Sequence, residues 1–554
     1  MKHRAVKRRT VVMGIGATAG VAAVGGIALS AQASNEPGDS ASSSLVFDQD
    51  DYTTLTSTIT DADGDDHEVT YRFHKAVTYV AKPVDEKYQS LNVSVPVTID
   101  GRTVDATDAP ILFANSVGGY MPSSVADATG VGGGGTGGGM GGGMGGGASA
   151  SAAPGTSASP SASASSNGTE SGSSAQVSGG QMVSLPQLGL AAGYVVVEPG
   201  ARGRTLKNSS GEYYGTAPAA IVDLKAAVRY VRANKGRIPG NVDRIFSTGT
   251  SAGGALSALL GASGDSPIYD KYLKEIGAAD ASDAVFATGA WCPITDLEHA
   301  DGAYEWCWGG NALSTGKQVD QTVSKELTSQ FAEYQAGLRL RGLNGFGTLT
   351  ARNYDEYMLK TYLQPSATTY LKSLSDSDRE TYLAKNTFIT WDGEQATFTW
   401  ADFLTHVGAR KKDAPAFDLF TFPTDSSDTM SGDINNEFGT GTTQYRHFTT
   451  YSLREDKGGS ARLDSDIPEK LRLMNPMYHL VDKVDAGRSR HWWIRLGSSD
   501  SDTSLTVSAN LAAAANQLGD EVSHLYYWDQ GHGANTDPGD FIAWIAKLSG
   551  HKAG

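Results

Sequence analysis

Cysteine is nearly absent: Cys292 and Cys307 are the only two in 554 residues. So few exclude the disulfide framework that holds small secreted domains together. With no H-E-x-x-H and no paired C-x-x-C, the usual zinc patterns are missing as well. The pair itself is open between one disulfide and two buried thiols. Basic charge is scarce beyond the first few residues, and the net charge is −16, so the basic patch that nucleic acid requires is lacking. Long apolar runs are also few. Only residues 11–29 approach the length of a bilayer span, and they are rich in Gly and Ala. No repeat of the kind that builds propellers precedes the middle of the chain.

What is present reads as a large globular protein. Hydrophobic residues make up 39% and charged residues 19%, enough for a sizeable core. The basic start has the order of an export signal: Lys2, Arg4, Lys7, Arg8 and Arg9, then the apolar run, then the small-x-small site Ala31-Gln32-Ala33. Residues 1–33 are therefore expected to be a signal peptide, with Arg8-Arg9 giving it a twin-arginine look. Residues 34–44 are expected to be a polar leader. The mature chain is expected to be extracellular, with no stable membrane insertion.

Tyr71-Arg-Phe, Val77-Thr-Tyr-Val and Leu91-Asn-Val-Ser-Val alternate as half-buried antiparallel strands do, whereas Ile111-Leu-Phe-Ala and Tyr194-Val-Val-Val read as buried parallel strands. Between these two groups, residues 129–180 are almost wholly Gly, Ser, Ala and Thr. Such a stretch buries too little apolar surface to offset its chain entropy, and disorder is expected there. Ile221, Leu224, Val228 and Val231 form an amphipathic stripe. From about 296 to 474 the composition turns more charged and aromatic, which suggests a lid inserted in the core. His491-Trp-Trp-Ile-Arg-Leu and His524-Leu-Tyr-Tyr-Trp restore short strands, and Phe541-Ile-Ala-Trp-Ile closes with a helix. The expected architecture is a mainly parallel α/β sheet, its core running over 45–295 and 475–554.

The chemistry centres on Gly249-Thr250-Ser251-Ala252-Gly253. A strand precedes it and a buried helix follows, which is the context of the nucleophile elbow of α/β-hydrolases. A serine hydroxyl needs a positioned base held by a third group, and in this fold acid and histidine follow on later strand ends. His532 lies in Gln530-Gly531-His532-Gly533 after the Tyr526-Tyr527-Trp528 strand, while His524 lies inside that strand and His551 in the tail. Asp500 in Gly497-Ser-Ser-Asp-Ser-Asp is the expected acid. Asp502 has the spacing of a helix N-cap or of a second functional carboxylate. The oxyanion is expected to be held by the amides of Ala252 and of Gly118 or Gly119 in Asn115-Ser-Val-Gly-Gly-Tyr-Met.

Taken together, Lys87-Tyr-Gln-Ser-Leu-Asn-Val, Val117-Gly-Gly-Tyr-Met-Pro, Pro199-Gly-Ala-Arg-Gly-Arg, the elbow, Cys292-Pro-Ile-Thr-Asp and Asp502-Thr-Ser resemble the bacterial subtype B tannases. These are α/β-hydrolases related to feruloyl esterases. The resemblance covers about Tyr71 to Leu548. It implies an esterase of galloyl esters with Ser251, Asp500 and His532 as triad, and Asp502, Lys412 and Glu437 on the ring hydroxyls of a small-molecule or polyphenolic substrate. Lys411 is the alternative to Lys412, because extra residues separate this lysine pair from Glu437. No cofactor or metal is implied, and the oligomeric state is open. Two other readings compete. One is a feruloyl or acetyl esterase of plant polysaccharide, and the other a catalytically silent fold used for binding.

Overall fold

The computed structural model describes residues 45–136, 175–178, 181–423 and 434–551. The expected signal and leader, and most of the Gly/Ser/Ala insertion, lie outside the described residues. Ten strands form one sheet: β1 (Thr53–Thr60), β2 (Asp66–Thr78), β3 (Ser90–Ile99), β4 (Arg102–Thr103), β5 (Pro110–Ala114), β6 (Val195–Pro199), β7 (Asn241–Thr250), β8 (Ala287–Trp291), β9 (His491–Gly497) and β10 (Glu521–Tyr527). Their spatial order is β1-β2-β3-β6-β5-β7-β8-β9-β10, with β4 beside β3. β1 to β3 pair antiparallel, β6 joins β3 antiparallel, and every pairing from β6 to β10 is parallel. This is the α/β-hydrolase fold anticipated from the strand–helix alternation. Parallel neighbours leave their C-terminal ends at one edge, where the loops after β5, β7, β8, β9 and β10 gather.

Burial departs from the expected pattern in two places. β3 was expected to be half-buried, yet Ser90 to Pro96 are all buried, because β3 is an interior strand flanked by β2 and β6. Helix α1 (Ala219–Ala233) carries the expected stripe, and its four residues are fully buried. Its polar side is buried too. Asp223 accepts from Arg202 and Gln89, and Lys225 donates to Asp283 at 2.8 Å. The helix packs against both the sheet and its helical neighbours, so charges there require partners inside the protein.

Residues 129–134, within the expected insertion, run as an ordered turn in which Gly132 N–H donates to the Glu198 carboxylate at 3.1 Å. The segment from 296 to 474 is mostly helical where described, with helices at Leu297–Trp308 and Gln321–Leu338. Trp308, Tyr354, Tyr357 and Phe403 of this segment belong to the same continuous apolar cluster as the sheet. Among the described residues, no helix is long and apolar enough to cross a membrane.

Candidate active site

Ser251 sits between β7 and helix α2 (Ala252–Ala262) at φ 58°, ψ −122°, a conformation that L residues rarely hold and that a packed turn must enforce. The glycines around it explain why the turn closes. A Cβ on Gly249 would lie 2.3 Å from the Gly253 carbonyl oxygen, and one on Gly253 would lie 2.7 Å from both Asn115 Oδ1 and the Val117 oxygen. One on Gly254 would lie 2.4 Å from the Trp291 oxygen. Ser251 N–H donates to that same Trp291 oxygen at 3.0 Å, tying the elbow to the end of β8.

The loop after β5 is latched to the elbow by Asn115, whose side-chain amide donates to the Thr248 and Gly253 oxygens at 3.0 and 3.1 Å. Gly118 and Gly119 follow, Gly119 at φ 54° and Tyr120 at φ 56°. Tyr120 is buried, and its hydroxyl donates to the Ile294 oxygen at 3.0 Å. Ala252 is the first residue of its helix, where a backbone N–H has no intrahelical acceptor.

The two late strand ends bring the remaining partners. His532 Nε2 lies 2.9 Å from Ser251 Oγ, and Nδ1 lies 2.8 Å from Asp500 Oδ2. The other Asp500 oxygen accepts the Asp502 N–H at 2.9 Å. His524 is half-buried within β10, its ring against Tyr362 and Tyr526. The acid and histidine loops touch so closely that a Cβ on Gly497 would lie 2.2 Å from the Gln530 oxygen. Asp529, at φ 57°, donates its N–H to Ser498 Oγ, while its carboxylate accepts from Tyr382 and pairs with His406 of the inserted segment. Burial works against a charged His532, but the Asp500 carboxylate, aided by the Cys292 sulfur, leaves its pKa well above the ordinary histidine value.

Asp502 is not the helix N-cap; Ser504 is. Asp502 instead faces the cluster, 3.7 Å from His532 Nδ1 and 2.5 Å from Lys411 Nζ. Burial disfavours its charge, yet His532 and Lys411 outweigh that and lower its pKa. Of the two lysines, Lys411 reaches this carboxylate, whereas the Lys412 ammonium lies 4.4 Å from the centre of the Phe417 ring. The Lys412 charge also acts on Asp502, helping to hold its pKa down. Glu437 sits on a short turn, Asn435–Phe438, and is 1% exposed. Among the described residues neither of its carboxylate oxygens has a hydrogen-bond partner. Burial pushes its pKa up to about 8, although Arg204 and Lys470 pull the other way. Arg204 connects this turn to the glycine loop. Its guanidinium donates to Asn436 Oδ1 at 2.7 Å and its N–H to the Tyr120 oxygen at 3.0 Å.

Sequence reasoning missed Asn115, Arg204, Asp529 and the position of Cys292. Both cysteines are free and buried, and the Cys292 sulfur lies 3.9 Å from His532 Nε2. Its signal was its place directly after a parallel strand, on the edge where the other loops meet.

Solved structures match this architecture over nearly its whole length. A tannase from Fusobacterium nucleatum is 32% identical, with a TM-score of 0.71 over 91% of this chain and 99% of its own. The chain belongs to the bacterial tannase family. A native tannin acyl hydrolase from Lactobacillus plantarum is similar at 31% identity and TM-score 0.70, again over 91% of this chain and 99% of that one. So is a tannin acyl hydrolase solved in complex with ethyl gallate, at 31% identity and TM-score 0.71 over the same shares. The family model BD-FAE matches residues 174–335. Esterase LipQ of Mycobacterium tuberculosis is 37% identical over 90 residues, which span 16% of this chain and 20% of that esterase. This member of the tannase family is a carboxylic-ester hydrolase.

Proposed function

We propose that this chain is an exported serine esterase that hydrolyses galloyl esters, releasing gallic acid from simple gallates and tannins. One observation carries the reading: His532 bridges Ser251 and Asp500 at 2.9 and 2.8 Å, with the carboxylate of Asp502 and the ammonium of Lys411 directly beside them. Ser251 attacks the ester carbonyl as His532 takes its proton. Asp500 holds the imidazole in the required tautomer and stabilises the imidazolium. The amides of Ala252 and of Gly118 or Gly119 receive the oxyanion, each such donor contributing about 10²–10³ in rate. The imidazolium protonates the leaving alcohol, and water then resolves the galloyl-enzyme.

Asp502, Lys411 and Glu437 are assigned to the ring. Phenolic hydroxyls donate well to carboxylates, and an ammonium donates to their oxygens. With a pKa near 8, Glu437 is neutral at pH 7 and can give one hydrogen bond and accept another. Similar tannin acyl hydrolase structures solved with ethyl gallate and with 3,4-dihydroxybenzoate support a hydroxylated benzoyl group. The signal pattern at residues 1–33 supports export. The segment 296–474, which carries Lys411 and Glu437, is assigned as the lid.

The BD-FAE match keeps a feruloyl esterase as the second reading. Purified protein is to be given methyl gallate, methyl ferulate and p-nitrophenyl acetate in parallel. The galloyl reading expects gallic acid release with a kcat/KM well above that for ferulate. Ferulate turnover without gallate turnover would replace it by the second reading, and acetate turnover alone would leave only a general esterase.

A further inference from the structure

The loop that carries His532 has little packing to hold it in place. Among the described residues, a Cβ on Gly531 or Gly533 would meet no atom within 4 Å beyond its chain neighbours. Glycine loses more chain freedom on folding than any other residue, so a histidine between two of them needs an anchor outside the loop. Asp529, three residues earlier, is built as one. It stands at φ 57°, a left-handed conformation that a residue with a Cβ enters at a cost. Its N–H donates to Ser498 Oγ at 2.9 Å. Ser498 N–H donates to the Tyr527 oxygen and Ser499 N–H to the Gln530 oxygen, both at 2.9 Å. The stretch before Asp500 and the stretch before His532 are laced together around Asp529.

The carboxylate of Asp529 engages the inserted segment. It accepts from the Tyr382 hydroxyl and pairs with His406 Nε2 at 2.6 Å. The Tyr382 hydroxyl in turn accepts from Trp528 Nε1–H at 2.8 Å, and the His406 ring lies within 5° of parallel to Trp528, 5.7 Å between centres. Side chains from two helices, Asp376–Lys385 and Trp400–Val407, therefore close on consecutive residues of the histidine loop. Five residues past His406, Lys411 reaches Asp502, itself two residues past Asp500. One short run of the inserted segment touches both loops that carry the acid and the base. No step of acyl transfer uses Asp529, Tyr382 or His406 directly, yet the geometry they fix is that of the base.

We propose that Asp529 is a positioning residue for acyl transfer, held by Tyr382 and His406 so that the inserted segment sets the place of His532. The inference rests on Ser251, His532 and Asp500 as the reacting groups, and it is independent of the acyl group. A base must sit within hydrogen-bond reach of the proton it takes, and a misplacement of about 1 Å costs about 10²-fold in rate. Removing the Asp529 carboxylate should lower kcat for every ester with KM little changed. A contact made only to the galloyl ring would act on galloyl esters alone.

The test compares wild type, Asp529→Gly and Asp529→Asn, each checked for folding by circular dichroism. Glycine adopts φ 57° freely, and asparagine tolerates it while keeping an oxygen acceptor, so neither adds backbone strain. The readouts are kcat and KM on p-nitrophenyl acetate and methyl gallate, the rate at which a fluorophosphonate labels Ser251, and the low-field proton NMR signal of the His532 Nδ1–H held by Asp500. Asp529→Gly is expected to lose about 10–100-fold in kcat on both esters and in labelling rate, with KM within about threefold. Its imidazole proton signal should broaden or shift, and Asp529→Asn should recover most of the loss. If Asp529→Gly does not fold, Tyr382→Phe, which removes a single hydroxyl, replaces it with the same direction expected. Labelling and kcat in Asp529→Gly within about threefold of wild type would overturn the proposal, as would a loss confined to methyl gallate or an unmoved proton signal. A wild type that the fluorophosphonate does not label would overturn it together with the acyl-transfer reading. The acetate and labelling readouts need no galloyl ring, so failure of the galloyl reading leaves the proposal standing on them.

Discussion

On the sheet side of the site, His532 lies between Ser251 and Asp500, and the second Asp500 oxygen takes the Asp502 N–H. On the side of the inserted segment, Glu437 is equally buried, yet among the described residues its carboxyl accepts nothing and donates nothing. A buried polar group without a partner costs about 1–3 kcal/mol, and neutralisation near pH 8 is the protein's partial relief. The contrast teaches which half does which work. The groups proposed to move a proton are wired together before substrate arrives, because their geometry must already be correct. On the proposed function, the group assigned to the substrate ring is left incomplete, so that the ligand supplies the missing partner.

The sharpest way to break this comparison is at Ser251. Ser251→Ala is expected to lower kcat for every ester by on the order of 10⁴–10⁶-fold, with a dissociation constant for gallic acid within a few-fold of wild type. Calorimetry of the variant checks the second part. Lost gallate binding would mean that the two halves are not separable.

A smaller effect is expected from the lysines. Lys411→Ala should raise KM for methyl gallate by about 10–100-fold, the worth of a hydrogen bond to a charged group, with kcat for p-nitrophenyl acetate nearly unchanged. Lys412→Ala should change either value less than about threefold. Because the Lys411 side chain is 54% exposed, thermal stability should barely move in Lys411→Ala. A larger gallate effect at Lys412 would return the role to that residue.

Glu437 separates completion from mere filling. Glu437→Gln, which keeps one donor and one acceptor, should hold gallate KM at pH 7 within about threefold, whereas Glu437→Ala should raise it by about tenfold. The two variants behaving alike would mean that the carboxyl meets no ring hydroxyl.

The least expected change is one of position on the pH axis. The proposed mechanism needs neutral His532, and the Asp500 carboxylate lifts its pKa above the ordinary 6.5. Activity should therefore fall as pH drops through a limb lying above 6.5. In Asp500→Asn, with the largest opposition to burial removed, the residual activity should show that limb at lower pH. A pH profile of kcat/KM reads both, and an unmoved limb would detach Asp500 from the imidazole.

Much of the sheet side was legible in the chain because its signals are local. Gly249 and Gly253 flank Ser251 in a turn that no Cβ permits, and Asp500 and His532 follow apolar strands whose ends must meet at one edge. The inserted segment was harder to read. Lys411 and Lys412 are adjacent, and only the fold shows which ammonium reaches Asp502 and which lies by Phe417. The burial of the polar face of the Ala219–Ala233 helix was not legible because its partners, Arg202, Gln89 and Asp283, are distant in sequence. Cys292 gave no warning of its imidazole neighbour for the same reason.

Two carboxylates two residues apart allow the most direct test of the division itself. Asp500→Asn and Asp502→Asn are to be compared by kcat/KM on methyl gallate and on p-nitrophenyl acetate. Asp500→Asn is predicted to lose about 10⁴-fold on both esters, as when a triad carboxylate is removed. Asp502→Asn is predicted to lose about 10–100-fold on gallate and only a few-fold on acetate. If Asp502→Asn loses as much on acetate as on gallate, that carboxylate serves the histidine rather than the ring, and the galloyl reading is contradicted.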